Sequence, residues 1–174
     1  MLAKSIRKTV APIALAAAAL TSVAVLAPTA SAASSQNCAN SPSNGNCDNV
    51  PVSKGDPCWN SAYPVAPTKG GTFYYNDNGW QFKTELMYST TCKSNFTYTV
   101  VTQTGGGVYN VSNKIRRGSG PDGGYLMYHG PWILMYPWSG GSEVISPMVY
   151  SPDNPAASCL SNNSNDQVAC SPYF

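Results

Sequence analysis

Charge is scarce in this chain. Ten Lys and Arg and eight Asp and Glu are spread over 174 residues, with a single histidine, His129. A nucleic-acid or polybasic-membrane surface needs clustered positive charge. The one basic cluster is Lys114 with Arg116-Arg117, and its Gly-rich surroundings read as a solvated turn. Zinc is disfavoured because no C-x2-C pair occurs and one histidine cannot complete the usual ligand sets. No metal or cofactor is expected. No G-x-S-x-G elbow exists, since Ser139 is followed by Gly141 but preceded by Pro137, so a Ser-His-Asp hydrolase finds no support. Gly105-Gly106-Gly107 lacks the following Lys-Ser/Thr of a phosphate cradle.

The N-terminus reads as a secretory signal peptide over residues 1–32. Lys4, Arg7 and Lys8 form a positive start, Ala11 to Leu26 an apolar run, and Ala30-Ser31-Ala32 a small-x-small cleavage site. A retained membrane span is the competing reading, and the Ala-rich core between Pro12 and Pro28 argues against it. Gln36-Asn37-Cys38 is no lipobox. The mature chain, from Ala33, then has 142 residues (174 − 32), and its formal charge is −1, seven basic against eight acidic residues. The expected location is extracellular, with no membrane span in the mature chain.

All six cysteines (38, 47, 58, 92, 159 and 170) follow the cleavage site. An even count in an exported chain argues for three disulfides, although six cysteines permit 15 pairings. Separations of 9 and 11 residues, with Gly, Asn and Ser between, suggest Cys38–Cys47 and Cys159–Cys170. Cys58–Cys92 follows as the remaining staple.

Residues 33–71 are rich in Pro, Asn and Ser and show neither helical nor strand periodicity, which suggests a disulfide-tethered, extended or looped arm. From Thr72 the pattern becomes β. Thr72 to Tyr75 is an aromatic run and Asn78-Gly79 suits a hairpin turn. From Trp80 to Tyr88 the residues alternate, Trp80, Phe82, Thr84, Leu86 and Tyr88 facing one way, as a half-buried strand does. Phe96, Tyr98 and Val100 repeat the pattern after Cys92, predicting a second hairpin across Ser89 to Asn95. Further strands are predicted at Val108 to Val111, Tyr125 to His129, Trp132 to Trp138 and Glu143 to Tyr150, and the tail from Ser151 reads as Cys-closed loop. Short strands between turn signals indicate an all-β domain over residues 72–174, a small disulfide-stapled antiparallel sandwich or barrel.

Glu85-Leu86-Met87-Tyr88-Ser89-x-x-Cys92, with an aromatic at Phe96, resembles the "ELRYS..C...W" signature of the DUF2690 (YjfA-like) family of small secreted bacterial proteins, many of them actinobacterial. Gly55-Asp56-Pro57-Cys58 and Ser146-Pro147-Met148-Val149 with Cys159 extend the likeness. Met87 stands where the family has Arg, and Phe96-Thr97-Tyr98 where it has Trp-Ala-Arg. The resemblance implies a small secreted β domain and no defined chemistry.

Two-carboxylate carbohydrate hydrolysis would draw on Glu85, Glu143, Asp77 or Asp122. Glu85 alternates with Lys83, which reads instead as a surface cross-strand pair. Asn76-Asp77-Asn78-Gly79 is similar to part of a calcium loop but lacks the downstream glutamate, and Asn162 to Asp166 offers oxygens in a disulfide-closed loop. The most suggestive segment is His129 to Trp138. Trp132, Leu134 and Tyr136 would share one strand face and Ile133 and Met135 the other, so the strand is either central in the core or carries an exposed strip. Trp132 is expected in the core and Trp138 in solvent. The expected function is a non-enzymatic binding protein using Trp132, Tyr136 and Trp138 on a protein or cell-surface glycan. An adaptor strapped to another protein by its arm, and a carbohydrate hydrolase, are the alternatives.

Overall fold

The computed structural model describes residues 34–138, 142–162 and 166–174. The segment read as a signal peptide, Ser139-Gly140-Gly141 and Asn163-Ser164-Asn165 lie outside them. Two antiparallel sheets pack face to face as an open sandwich.

The first sheet grows from local hairpins. β2 (Thr72–Asp77) turns into β3 (Trp80–Ser89) through Asn78 and Gly79, whose φ of 49° and 79° are those of a primed two-residue turn. β3 then pairs with β4 (Ser94–Gln103), Ser89 opposite Ser94. β1 (Ala62–Pro64) shares the free edge of β3 with β2, and β8 (Glu143–Ile145) and β9 (Val149–Tyr150) share the far edge of β4. The predicted strand Glu143 to Tyr150 is thus two pieces broken at Ser146–Met148.

β5 (Tyr109–Arg117) and β10 (Ala156–Asn162) form the centre of the second sheet, with β11 (Asp166–Cys170) outside β10. β6 (Leu126–His129) and β7 (Ile133–Met135) lie along the other edge of β5. The tail read as loop is therefore two strands. Its small residues, Ala156, Ala157, Ser158 and Cys159, show no apolar alternation because both faces of β10 are buried. The disulfides are Cys38–Cys47, Cys58–Cys92 and Cys159–Cys170, the outer two as their separations suggested and the middle one as the remaining staple. Each such closure typically contributes about 2–4 kcal/mol by restricting the unfolded chain.

Between the sheets, Trp80, Phe82 and Tyr109 pack with ring centroids 5.1–6.2 Å apart. Beside them lies a hydrogen-bonded polar group. The hydroxyls of Thr84 and Thr99 share a 2.9 Å hydrogen bond, Thr99 donates to Asn113 Oδ1 at 2.8 Å, and the Asn113 amide donates to the Thr97 and Val144 carbonyls. A buried amide without those partners would cost about 1–3 kcal/mol.

The segment after residue 33 holds three short helices, α1 (Ser35–Asn40), α2 (Asn44–Cys47) and α3 (Pro57–Asn60). Ser34 and Ser43 cap the first two through their hydroxyls. Helices this brief leave no periodic trace. They share a core with the sheet: Cys38, Cys47, Val50, Val52 and Cys58 pack with Met87, Phe96 and Met148. Met87 and Glu85 are consequently buried, and β3 has no single solvent face along its second half.

Lys114, Arg116 and Arg117 are not a solvated turn; they lie on β5, where Lys114 is 5% and Arg117 2% exposed. Asn113 and Arg117 face inward beside Val111 and Ile115, and the polar types hid the strand beyond Val111. Arg117 Nη1 contacts Asp48 at 3.2 Å and donates to Asn44 Oδ1 at 3.0 Å and to the Tyr150 carbonyl at 2.6 Å. Asp48 in turn accepts the Tyr150 N–H at 2.7 Å. Removing one partner of a buried pair strands the other. Arg117→Ala is expected to lower unfolding free energy by about 3–5 kcal/mol in urea titration, and Arg117→Lys to restore only part of it.

Candidate functional site

β7 takes its place because Tyr109, Asn110 and Val111 of β5 need a partner beyond the end of β6. Pro131 and Pro137 flank it and keep it short. It is an edge strand, since β5 is its one neighbour among the described strands. Alternation sends Met135 into the core, fully buried, and leaves Leu134 57% exposed. Trp132 and Tyr136 are each 37% exposed, so Trp132 belongs to the surface rather than the core as expected. Trp138 stands 79% exposed, and its ring stacks on Tyr136 with centroids 5.0 Å apart and planes 21° from parallel.

The strip continues over the outer face of the second sheet. Tyr125 and Met127 are exposed on or beside β6, and Tyr173 beyond β11 is exposed too. Next to them His129 lies opposite Lys114, and Met127 opposite Arg116. Burial lowers the His129 pKa from its ordinary value, and the neighbouring charges of Lys114 and Arg116 lower it further. The lowered pKa favours the neutral imidazole at neutral pH.

The four carboxylates considered for hydrolysis are each engaged in holding the fold. Asp77 accepts from Tyr109 Oη at 2.9 Å and Asn162 at 3.3 Å. This fastens the hairpin turn to the second sheet. Asp122 Oδ2 accepts the Asp153 N–H at 2.7 Å. Glu85 pairs with Lys83 at 2.8 Å within the same strand, instead of across strands. Glu143 Oε1 accepts from Lys54 Nζ at 2.5 Å and from Tyr98 Oη at 2.7 Å. Glu85 and Glu143 do approach a common residue, Tyr98. Its phenol is held well above the ordinary range by desolvation first, then by the bond to Glu143 and by both carboxylate charges. Lys54 also sits 5.7 Å and 5.8 Å from the Trp59 and Tyr98 ring centroids.

The sulfurs of Cys38, Cys58 and Cys92 lie within 4.8 Å of one another. All three are bound in disulfides and present no thiolate to a metal. In comparisons with protein-family models, curated proteins and solved structures, nothing matches this chain. The DUF2690 resemblance rests on the motif around Cys92 and the two shorter likenesses at Gly55 to Cys58 and Ser146 to Cys159.

Burial acts to raise the Glu143 pKa, yet the hydrogen bonds from Lys54 and Tyr98 and the Lys54 charge outweigh it and hold the group below 4.5. A depressed carboxylate stabilises the fold above its unfolded pKa and loses that contribution as pH falls through the folded value. Lys54→Met is expected to raise the Glu143 pKa in an NMR carboxyl titration. It should also weaken the drop in stability that acidification below about pH 4.5 causes in the native protein.

Proposed function

We propose that this protein is a secreted, non-enzymatic binding domain that recognises a protein or cell-surface partner through Trp132, Leu134, Tyr136 and Trp138. The observation that carries the reading is the stacked, solvent-facing Tyr136–Trp138 pair at the end of an edge strand. Large aromatics in solvent lose little entropy on binding and bury much area, so they are the usual anchors of interfaces. The sandwich and its three disulfides supply a rigid support. Secretion is supported by those disulfides and by the residues of the N-terminal 32 positions. Among the described residues no helix is long and apolar enough to cross a membrane.

The segment from residue 34 to 71 contributes less to this reading. Its helices are packed into the shared core, so serving as a strap on another protein would require them to detach.

Replacing Tyr136 and Trp138 together by Ala is expected to weaken capture of the partner from the producer's culture medium by tenfold or more, about 1.4 kcal/mol. Thermal stability should stay nearly unchanged, because neither side chain is buried. Undiminished capture, or a melting temperature that collapses on Trp138→Ala alone, would overturn the reading.

A further inference from the structure

A second site lies at the other end of the first sheet. The inward row of β3 runs Trp80, Phe82, Thr84, Leu86 and Tyr88; the first four are buried and Tyr88 emerges. There a cleft of about 440 Å³ opens, lined by Tyr63, Tyr88, Asn95, Asp153 and Phe174 together with the prolines around Asp153. Tyr63 lies opposite Tyr88 in register, and it is 50% exposed. The two rings meet at 71° with centroids 5.9 Å apart, so they form a corner rather than one flat wall.

The polar groups of the cleft divide into spent and unspent. Asn95 donates to the Met87 carbonyl and accepts from Ser151, and Asn154 accepts from the Asp122 N–H and donates to the Gly123 carbonyl. Asp122 fixes the Asp153 backbone N–H. Among the described residues, no hydrogen bond or ion pair reaches the Asp153 carboxylate itself. Arg117, which binds the Tyr150 carbonyl, is committed to Asp48, Asn44 and Tyr150, and Lys93, whose carbonyl accepts the Ser151 N–H, does not line the cleft. The Asp153 carboxylate is thus the one charged side-chain group among the lining residues. Consistent with that, the Tyr88 phenol is pushed up by desolvation first and then by Tyr63, Asp153, Tyr150 and Asp122.

We propose that the cleft formed by Tyr63, Tyr88 and Asp153 binds a compact alkylammonium group. Two π faces at a steep angle surround a small cation, and each contributes through its ring quadrupole. The carboxylate supplies the counter-charge. A flat sugar ring would need one broad open face, which a corner does not provide. The site is independent of the strip on β7 and stands or falls separately from it.

The test is titration of the intact protein with choline and with butylammonium, followed by aromatic NMR shifts. The neutral choline isostere 3,3-dimethylbutan-1-ol serves as control. Saturable shifts of the Tyr63 and Tyr88 rings are expected with at least one cation, and the two arms distinguish a quaternary from a primary ammonium source. The isostere should bind at least about tenfold more weakly, and Tyr63→Ala and Asp153→Asn should each weaken the cation by a similar factor. Both positions are exposed, so folding is checked by an unchanged melting temperature. Equal binding of the isostere, shifts confined to residues outside the cleft, indifference to Asp153→Asn, or no saturable binding of either cation would overturn the proposal.

Discussion

The guanidinium of Arg117 ties together three segments that lie far apart in the sequence. It sits at the end of β5, 2% exposed, and reaches Asp48 and Asn44 from the N-terminal segment and the carbonyl of Tyr150 from β9. Desolvating an arginine costs several kcal/mol, which the carboxylate, amide and carbonyl oxygens around its guanidinium offset. Asp48 answers by binding the Tyr150 N–H, which closes a ring of contacts through three segments. Hydrophobic packing alone would leave these elements free to slide. Directional bonds to a fixed fork give them one register.

The same logic governs the space between the sheets. Thr84, Thr97, Thr99 and Asn113 occupy positions where sandwiches ordinarily place branched aliphatics, and they are bonded to one another or to backbone. Aromatic weight is concentrated instead around Trp80, Phe82 and Tyr109. This division leaves aromatics over for the surface, where Tyr136 and Trp138 stack in solvent and Tyr63 and Tyr88 form the cleft corner. A chain with little charge can thus present distinct surfaces through rings alone.

What could be read from the residues follows from how strongly each position announces its environment. Asn78-Gly79 marks its turn because few residues tolerate positive φ twice in succession. The alternation from Trp80 reveals β3, and short Cys separations point to two local disulfides. Exposure of Trp138 follows from its place beyond Pro137. By contrast β10 is invisible, because a strand of Ala, Ser and Cys buried on both faces shows no period. Arg117 misleads, since a basic pair among glycines normally faces water. The cleft could not be found locally: Tyr63, Tyr88 and Asp153 come from three segments, and only the pairing of β1 with β3 brings the two rings together.

The order of pairing has a consequence in time. β2, β3 and β4 are consecutive hairpins that can zip as soon as they exist. β5 finds β6 and β7 nearby, but its other edge must wait for β10, whose residues Ala156 to Asn162 meet Arg117 to Val111, and Asp48 must wait for Tyr150, 102 positions later. Non-local pairings of this kind slow folding, because the loop must be closed before any contact rewards it. The inner face of the β2–β3–β4 hairpins is thus covered by strands that come later in the chain. Wherever that face is uncovered, the Thr84 and Thr99 hydroxyls can bond water instead of each other, which makes the exposed hairpins less sticky than an aliphatic sheet of the same size.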